Sequence, residues 1–164
     1  MDIELLFSRQ PFVQGDVARF SFIEPGLVLD VALASTGRSV VPIPADLRGS
    51  NLVVEATAGV GGGLRRTVTH YAHDLAVQVA HSFGQVRVLR GTTQKALPAT
   101  YVKVYGRSTN GTVAFFKDGY TDMRGRFDYA TLSTDDLDRV ERLAILIASD
   151  DAGATIVEAP PPPR

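Results

Sequence analysis

The twenty-nine residues from Tyr101 to Tyr129, YVKVYGRSTNGTVAFFKDGYTDMRGRFDY, constrain the fold of this chain more than any other part of it. Tyr101-Val102-Lys103-Val104-Tyr105 alternates apolar and polar character, and so does Arg126-Phe127-Asp128-Tyr129, which is the two-residue period of strands with one buried face. Between them, Ser108-Thr109-Asn110-Gly111 carries an Asn-Gly pair. That pair is the strongest short-range hairpin signal, because both residues tolerate the positive φ of a type I′ turn. Three strands joined by tight turns are expected, and a sheet with this much alternation needs a core to bury its apolar side.

Upstream, helical periodicity is almost absent. Asp2 to Phe7 fits one helical turn or a strand equally well. Pro11-Phe12 and Gln14-Gly15-Asp16 then mark a turn. Ala18 to Ile23, Leu27 to Leu33, Ser39 to Ile43, Leu52 to Ala56, Thr67 to Tyr71 and Leu75 to Val79 read as short strands, separated by Gly, Pro and Ser punctuation. Spacing of about ten residues between strands is the pattern of an all-β sandwich. A first unit is expected over residues 1–80, with no assigned family.

A second unit, 81–159, opens with Gln85 to Leu89 and continues through the hairpin stretch. Ser133-Thr134 ahead of Asp135-Asp136 resembles a helix N-cap with acidic residues that favour the dipole, so one short helical turn is expected there. Leu143 to Ala148 is a continuous apolar run suited to a strand buried on both faces. Ala154 to Glu158 is the last strand expected, and residues 160–164 form a proline-rich, extended tail. His81 to Gly84 is too short and too apolar for a flexible tether, so the two units are expected to pack together. The fold class is thus all-β, with two consecutive Ig-like antiparallel sandwiches.

Composition bounds the function. A chain of 164 residues can bury roughly 70% of its unfolded surface. A net charge of −1 gives no electrostatic footprint for nucleic acid. Without cysteine there is no disulfide, thiolate metal site or thiol nucleophile, and packing alone must stabilise the fold. The amino terminus has no basic n-region and apolar h-region of a signal peptide, and no apolar run approaches the ~20 residues of a membrane span. Met1 leads straight into apolar sequence, which suggests a piece of a longer polypeptide, compatible with a secreted or cell-surface parent.

Leu97-Pro98-Ala99-Thr100-Tyr101-Val102-Lys103-Val104 followed by Thr121-Asp122-Met123-Arg124-Gly125-Arg126-Phe127 resembles the carboxypeptidase regulatory-like, or transthyretin-like, β-sandwich domain over about Gln85 to Glu158. The second segment has a direct physical meaning. Gly125 permits a sharp turn, Asp122 can accept its backbone amides, and Phe127 enters the core as the next strand begins. The chain is also similar to the carboxyl ends of large bacterial multidomain proteins. The resemblance implies a non-catalytic domain that packs beside other domains or mediates contacts. The insert around Asp135 to Arg142 departs from the minimal family pattern.

Catalytic and metal chemistry find little support. His70, His73 and His81 lie close to Asp74, but His70 and His73 point to opposite faces of one strand and lack a second ligand pair, so strand-end histidines are the simpler reading. Gly59 to Gly63 lacks the Lys-Ser/Thr of a phosphate loop and reads as a hairpin loop; Arg65-Arg66 beside it reads as a solvated edge. Asp135 to Asp138 and Asp150-Asp151 lack the ligand spacing of a calcium loop. Asn110-Gly111-Thr112 matches a glycosylation acceptor, yet the hairpin needs Asn-Gly anyway. No cofactor is expected. Tyr101, Lys103 and Tyr105 share a face and are the candidate ligand-binding residues: exposed, they suit a glycan or protein contact, and buried, they pack one unit on the other. A structural or protein-interaction module, with the parent chain or neighbouring domains as partner, is the leading expectation. A carbohydrate- or small-ligand-binding domain is the alternative.

Overall fold

Two hydrophobic clusters lie on opposite faces of a single four-stranded sheet, and three of its strands feed both. The computed structural model describes residues 2–12, 24–59, 63–130 and 137–163. In chain order its elements are helix α1 (Ile3–Arg9) and strands β1 (Leu52–Ala58), β2 (Leu64–His70), β3 (Leu75–Ala80), β4 (Gln85–Arg90), β5 (Tyr101–Ser108), β6 (Val113–Tyr120), β7 (Arg126–Asp128), β8 (Val140–Ser149) and β9 (Gly153–Ala159), with single 3-10 turns at Ala45–Leu47 and His81–Phe83. All strand pairs are antiparallel, in three sheets ordered β1-β2, β3-β4-β7 and β6-β5-β8-β9.

The three- and four-stranded sheets face one another across the main core. Alternation decides which residues enter it: Val86 and Val88 from β4, Phe127 from β7, Val102 and Val104 from β5, and Leu143, Ile145 and Ile147 from β8. Each such side chain contributes about 1.5–3 kcal/mol by leaving water. Strand β8 is buried on both faces, as its continuous apolar run implies. Its intervening residues, Ala144 and Leu146, point outward into the second cluster with Ala154 and Ile156 of β9.

Helix α1 covers that outer face. Asp2 caps it, accepting from the amides of Glu4 at 3.0 Å and Leu5 at 3.1 Å, and Arg9 sits favourably in its last turn. A helix this short is marginal alone. It persists because Ile3 and Phe7, one turn apart, are buried on the sheet, with Leu6 beside them. Val53 of β1 and Tyr71 join the same cluster, so the amino-terminal segment and the sandwich pack together.

Several expectations are corrected. The division after Ala80 falls within a hairpin: β3 pairs with β4 from Leu75↔Arg90 to Ala80↔Gln85, and Leu75 belongs to the main core. Leu27 to Leu33 and Ser39 to Ile43 form no paired strands. Around the turn between them the Ser39 hydroxyl donates to the Ala32 carbonyl and accepts from the Ala34 amide. The Asn-Gly hairpin is present, but only Gly111 takes positive φ (84°). The loop is therefore a three-residue turn with a left-handed glycine, and the Asn110 side chain accepts from the Thr112 amide. The proline tail pairs with no strand, yet Pro162 is buried beside Gly84. The strand expected at Ala18 to Ile23 and the helical turn at Ser133-Thr134 lie outside the described residues.

Candidate functional site

The Thr121–Phe127 segment turns as its residue types require. The Asp122 carboxylate accepts from the amides of Arg124 and Arg126, both at 2.8 Å, and these bonds, that to Arg126 foremost, hold its pKa below the usual carboxylate value. Gly125 has a φ of +71°, and a Cβ there would stand 2.3 Å from the Val88 carbonyl oxygen. Phe127 enters the core. Thr121 closes the other side, its hydroxyl donating to the Leu97 carbonyl at 2.6 Å and accepting from the Thr100 amide at 3.0 Å. This turn binds β4, β5 and β7 together, which is structural work.

Tyr101, Lys103 and Tyr105 do share the outer face of β5. Tyr105 is half-buried: the Phe7 ring of α1 meets it edge-on at 5.3 Å, and Phe115 of β6 at 6.1 Å. Tyr101 tilts against the exposed Tyr120 at 5.4 Å and donates its hydroxyl to Asp118 at 2.9 Å. Burial, aided by that carboxylate, pushes the Tyr101 pKa up to about 12. Lys103 lies 5.7 Å from the Tyr105 ring. The three thus sit together, but Tyr105 is engaged by the helix and only the Tyr101 end opens outward with Tyr120.

The histidines do not converge. His70 lies at the end of β2 near the Arg48 carbonyl, His73 bridges to Gly153 and accepts the Leu75 amide on Nδ1 at 3.1 Å, and His81 stands in the turn after β3. Burial, then the nearby His70, lowers the His73 pKa. Among the described residues no group of three or more His, Asp or Glu gathers to hold a metal. Asp74 instead organises the loop after β4, accepting from the Thr92 amide and hydroxyl, while Arg90 pairs with Asp151. Among the described residues no helix is long and apolar enough to cross a membrane.

The surface that sequence reasoning missed is apolar. On the β1-β2 ribbon the cross-strand pairs Leu52↔His70, Val54↔Val68, Ala56↔Arg66 and Ala58↔Leu64 line one face, and Val68 (65%) and Leu64 (73%) are largely exposed. The opposite face carries Val53 and the Glu55–Arg65 ion pair. Next to the ribbon in sequence, Leu27, Val28, Leu29, Val31, Leu33, Val40 and Val41 are also exposed, Val40 at 85%. The signal was present in the even-numbered apolar positions of β1, which imply a buried face as firmly as those of β5.

Fold and surface together define an immunoglobulin-like, all-β sandwich with a docked helix and ribbon. The chain belongs to the family of AbpF C-terminal domains, whose model matches residues 74–164. A second model, that of the AbpF seventh immunoglobulin-like domain, matches residues 1–54. These matches point to an immunoglobulin-like family and not to the transthyretin-like one that Leu97–Val104 and Thr121–Phe127 suggested. The chain is 40% identical over 163 residues to "Actin-binding protein F" of Dictyostelium discoideum, which also gives no support to a bacterial parent. That alignment spans 99% of this chain but 7% of the relative's length. No solved structure matches the chain.

Proposed function

We propose that this chain is a non-catalytic structural and protein-interaction module of an actin-associated polypeptide, fixed as a rigid body by its sandwich. The observation that carries the reading is the docking of α1 and Val53 onto the outer sheet face, which joins the two family-matched segments through one apolar cluster. Sheets used in this way hold loops, edges and faces in place for a partner to read. The relative's name supports actin as the filament concerned. Co-sedimentation of the purified chain with filamentous actin separates two forms of the module. Saturable pelleting makes it a filament-gripping domain; recovery in the supernatant with retained binding to other immunoglobulin-like segments makes it a connector. Turnover of a hydrolysable substrate that is lost on mutating one of its own residues would overturn the reading altogether.

A carbohydrate reading of the outer face draws on the Tyr101–Tyr120 pair and the adjacent Lys103. A glycan array probed with the chain and with Tyr120→Ala tests it, since only binding that the substitution removes would support that reading.

A further inference from the structure

We infer that the proline run 160–163 is a docked polyproline ligand, which offers the ridge of Pro160 and Pro163 to a partner domain whose groove is walled by aromatic rings. This rests on the interaction-module reading, though not on actin, and gives one surface of the module a partner of stated chemistry. The residues themselves set the conformation of the run. Each proline ring fixes φ at about −65°, and each residue that precedes a proline, here Ala159 to Pro162, is driven to extended backbone. Among the described residues every peptide bond is trans. The run is therefore a left-handed polyproline helix of three residues per turn, rising about 3.1 Å per residue. One proline is enough to end strand β9. Four in succession carry this helix through a full turn beyond it.

Three residues per turn give the run three ridges, and the sandwich occupies one of them. Pro162 is buried, Pro161 is half-buried, and Pro160 and Pro163 are exposed. The seat is Gly84, in the left-handed turn before β4 (φ +59°), where a Cβ would stand 3.3 Å from Pro162 Cγ and 2.9 Å from the Ala130 Cβ. The Gly84 carbonyl accepts the Ala130 amide at 3.1 Å, which fixes the seat to the chain leaving β7. Ala159, the last residue of β9, is buried in the main core. The run is thus held at Ala159 and again at Pro162, and the ridge of Pro160 and Pro163, one turn or about 9 Å apart, stays clear of the seat. Proline rings offer flat apolar surface and carbonyl acceptors but no backbone donor, so the complementary surface is aromatic with a donor at its edge, as Trp and Tyr supply. Domains that read polyproline use such grooves and draw affinity from a ligand that is already ordered. A ridge fastened to a rigid sandwich lowers the ordering cost further.

Calorimetric titration of the whole chain with a panel of purified SH3, WW and EVH1 domains tests this. At least one member should bind with a dissociation constant below about 1 mM. Pro160→Ala with Pro163→Ala removes the ridge and should weaken that binding about tenfold or more, with the unfolding temperature of the sandwich unchanged. Pro162→Ala keeps the ridge and loosens its seat, so it should weaken binding only about three- to tenfold. Failure of every member of the panel to bind overturns the inference and leaves the run a stiff spacer. Binding that survives the double substitution also overturns it, because the contact then lies elsewhere on the chain. So does a Pro162→Ala variant that binds as well as the native chain or better, since the groove then takes the run undocked. A Pro162→Ala loss as large as that of the double variant does the same, since Pro162 itself is then read. Actin co-sedimentation is scored separately, so failure of the actin reading leaves this result standing and the reverse.

Discussion

The sandwich of β3 to β9 and the segment from residue 24 to residue 70 are built from the same kinds of residues, yet only one of them closes on itself. In the sandwich the main apolar stripes meet one another: β4 and β7 face β5 and β8, and the outer side of β8 is covered by α1. In the amino-terminal segment only Val53 joins such a cluster, and Val54, Leu64 and Val68 face water. Strand propensity and alternation are local properties, whereas a strand exists only when its amides find a neighbour. The difference is one of partners, not of composition.

That comparison can be broken most forcefully at Gly125. Gly125→Ala places a methyl group against the Val88 carbonyl at positive φ, and a loss of about 3 kcal/mol or more is expected in urea unfolding of the sandwich. A loss below about 1 kcal/mol would mean the turn relaxes and does not hold the sheets. Phe7→Ala should cost about 3 kcal/mol of helix docking, read as fast exchange of α1 amides with the sandwich still folded; Leu5→Ala, on the exposed side, should stay within about 0.5 kcal/mol. If the two variants behaved alike, the helix would not be seated as described.

Smaller effects sharpen the contrast. Val54→Thr should change the stability of the isolated chain by no more than about 0.5 kcal/mol, whereas Val104→Thr at the core should cost about 1–3 kcal/mol. Comparable losses would place the ribbon face in a closed core. Acid tests the turn: with its folded pKa depressed, Asp122 stabilises the protein above ~3.9, and the stabilisation disappears as pH falls through the folded value. Asp122→Asn should flatten the acid limb of the unfolding-temperature profile. His73 gives the smallest effect. Its pKa is also depressed, so its contribution is full above ~6.5 and fades as pH falls from there through the folded value. The protection factor of the Leu75 amide, bonded to His73 Nδ1, reports this once the intrinsic pH dependence of exchange is divided out, and unchanged protection between pH 7 and 5 would refute it.

The hairpin and the Asp-x-x-Gly-x-Phe turn were legible because their signals are local: a left-handed glycine, an acceptor two to four residues before the amides it caps, and a buried aromatic. The two-faced burial of Leu143 to Ala148 was legible for the same reason. Helix α1 was not, since one turn of Ile3, Leu6 and Phe7 fits a strand as well as a helix, and the sheet that decides between them lies far away in sequence. Tyr105 was placed on the right face, but what covers it, Phe7, is almost a hundred positions distant.

Strand β8 carries a consequence of another kind. Because both its faces are apolar from Leu143 to Ala148, a slip of one residue against β5 would exchange Leu143, Ile145 and Ile147 for Ala144 and Leu146, with polar residues changing sides only at the flanks, Glu141, Arg142 and Ser149. The alternation that polices alignment elsewhere is silent here. Alignment must instead come from side-chain size, from the Arg107–Glu141 and Arg142–Glu158 ion pairs at its start, from the irregularity at Arg107/Ser108 and from the tight reversal Ser149↔Gly153. A misaligned β8 would still be dry on both sides, which makes this strand the place where a kinetically trapped, out-of-register form of the sandwich should be sought.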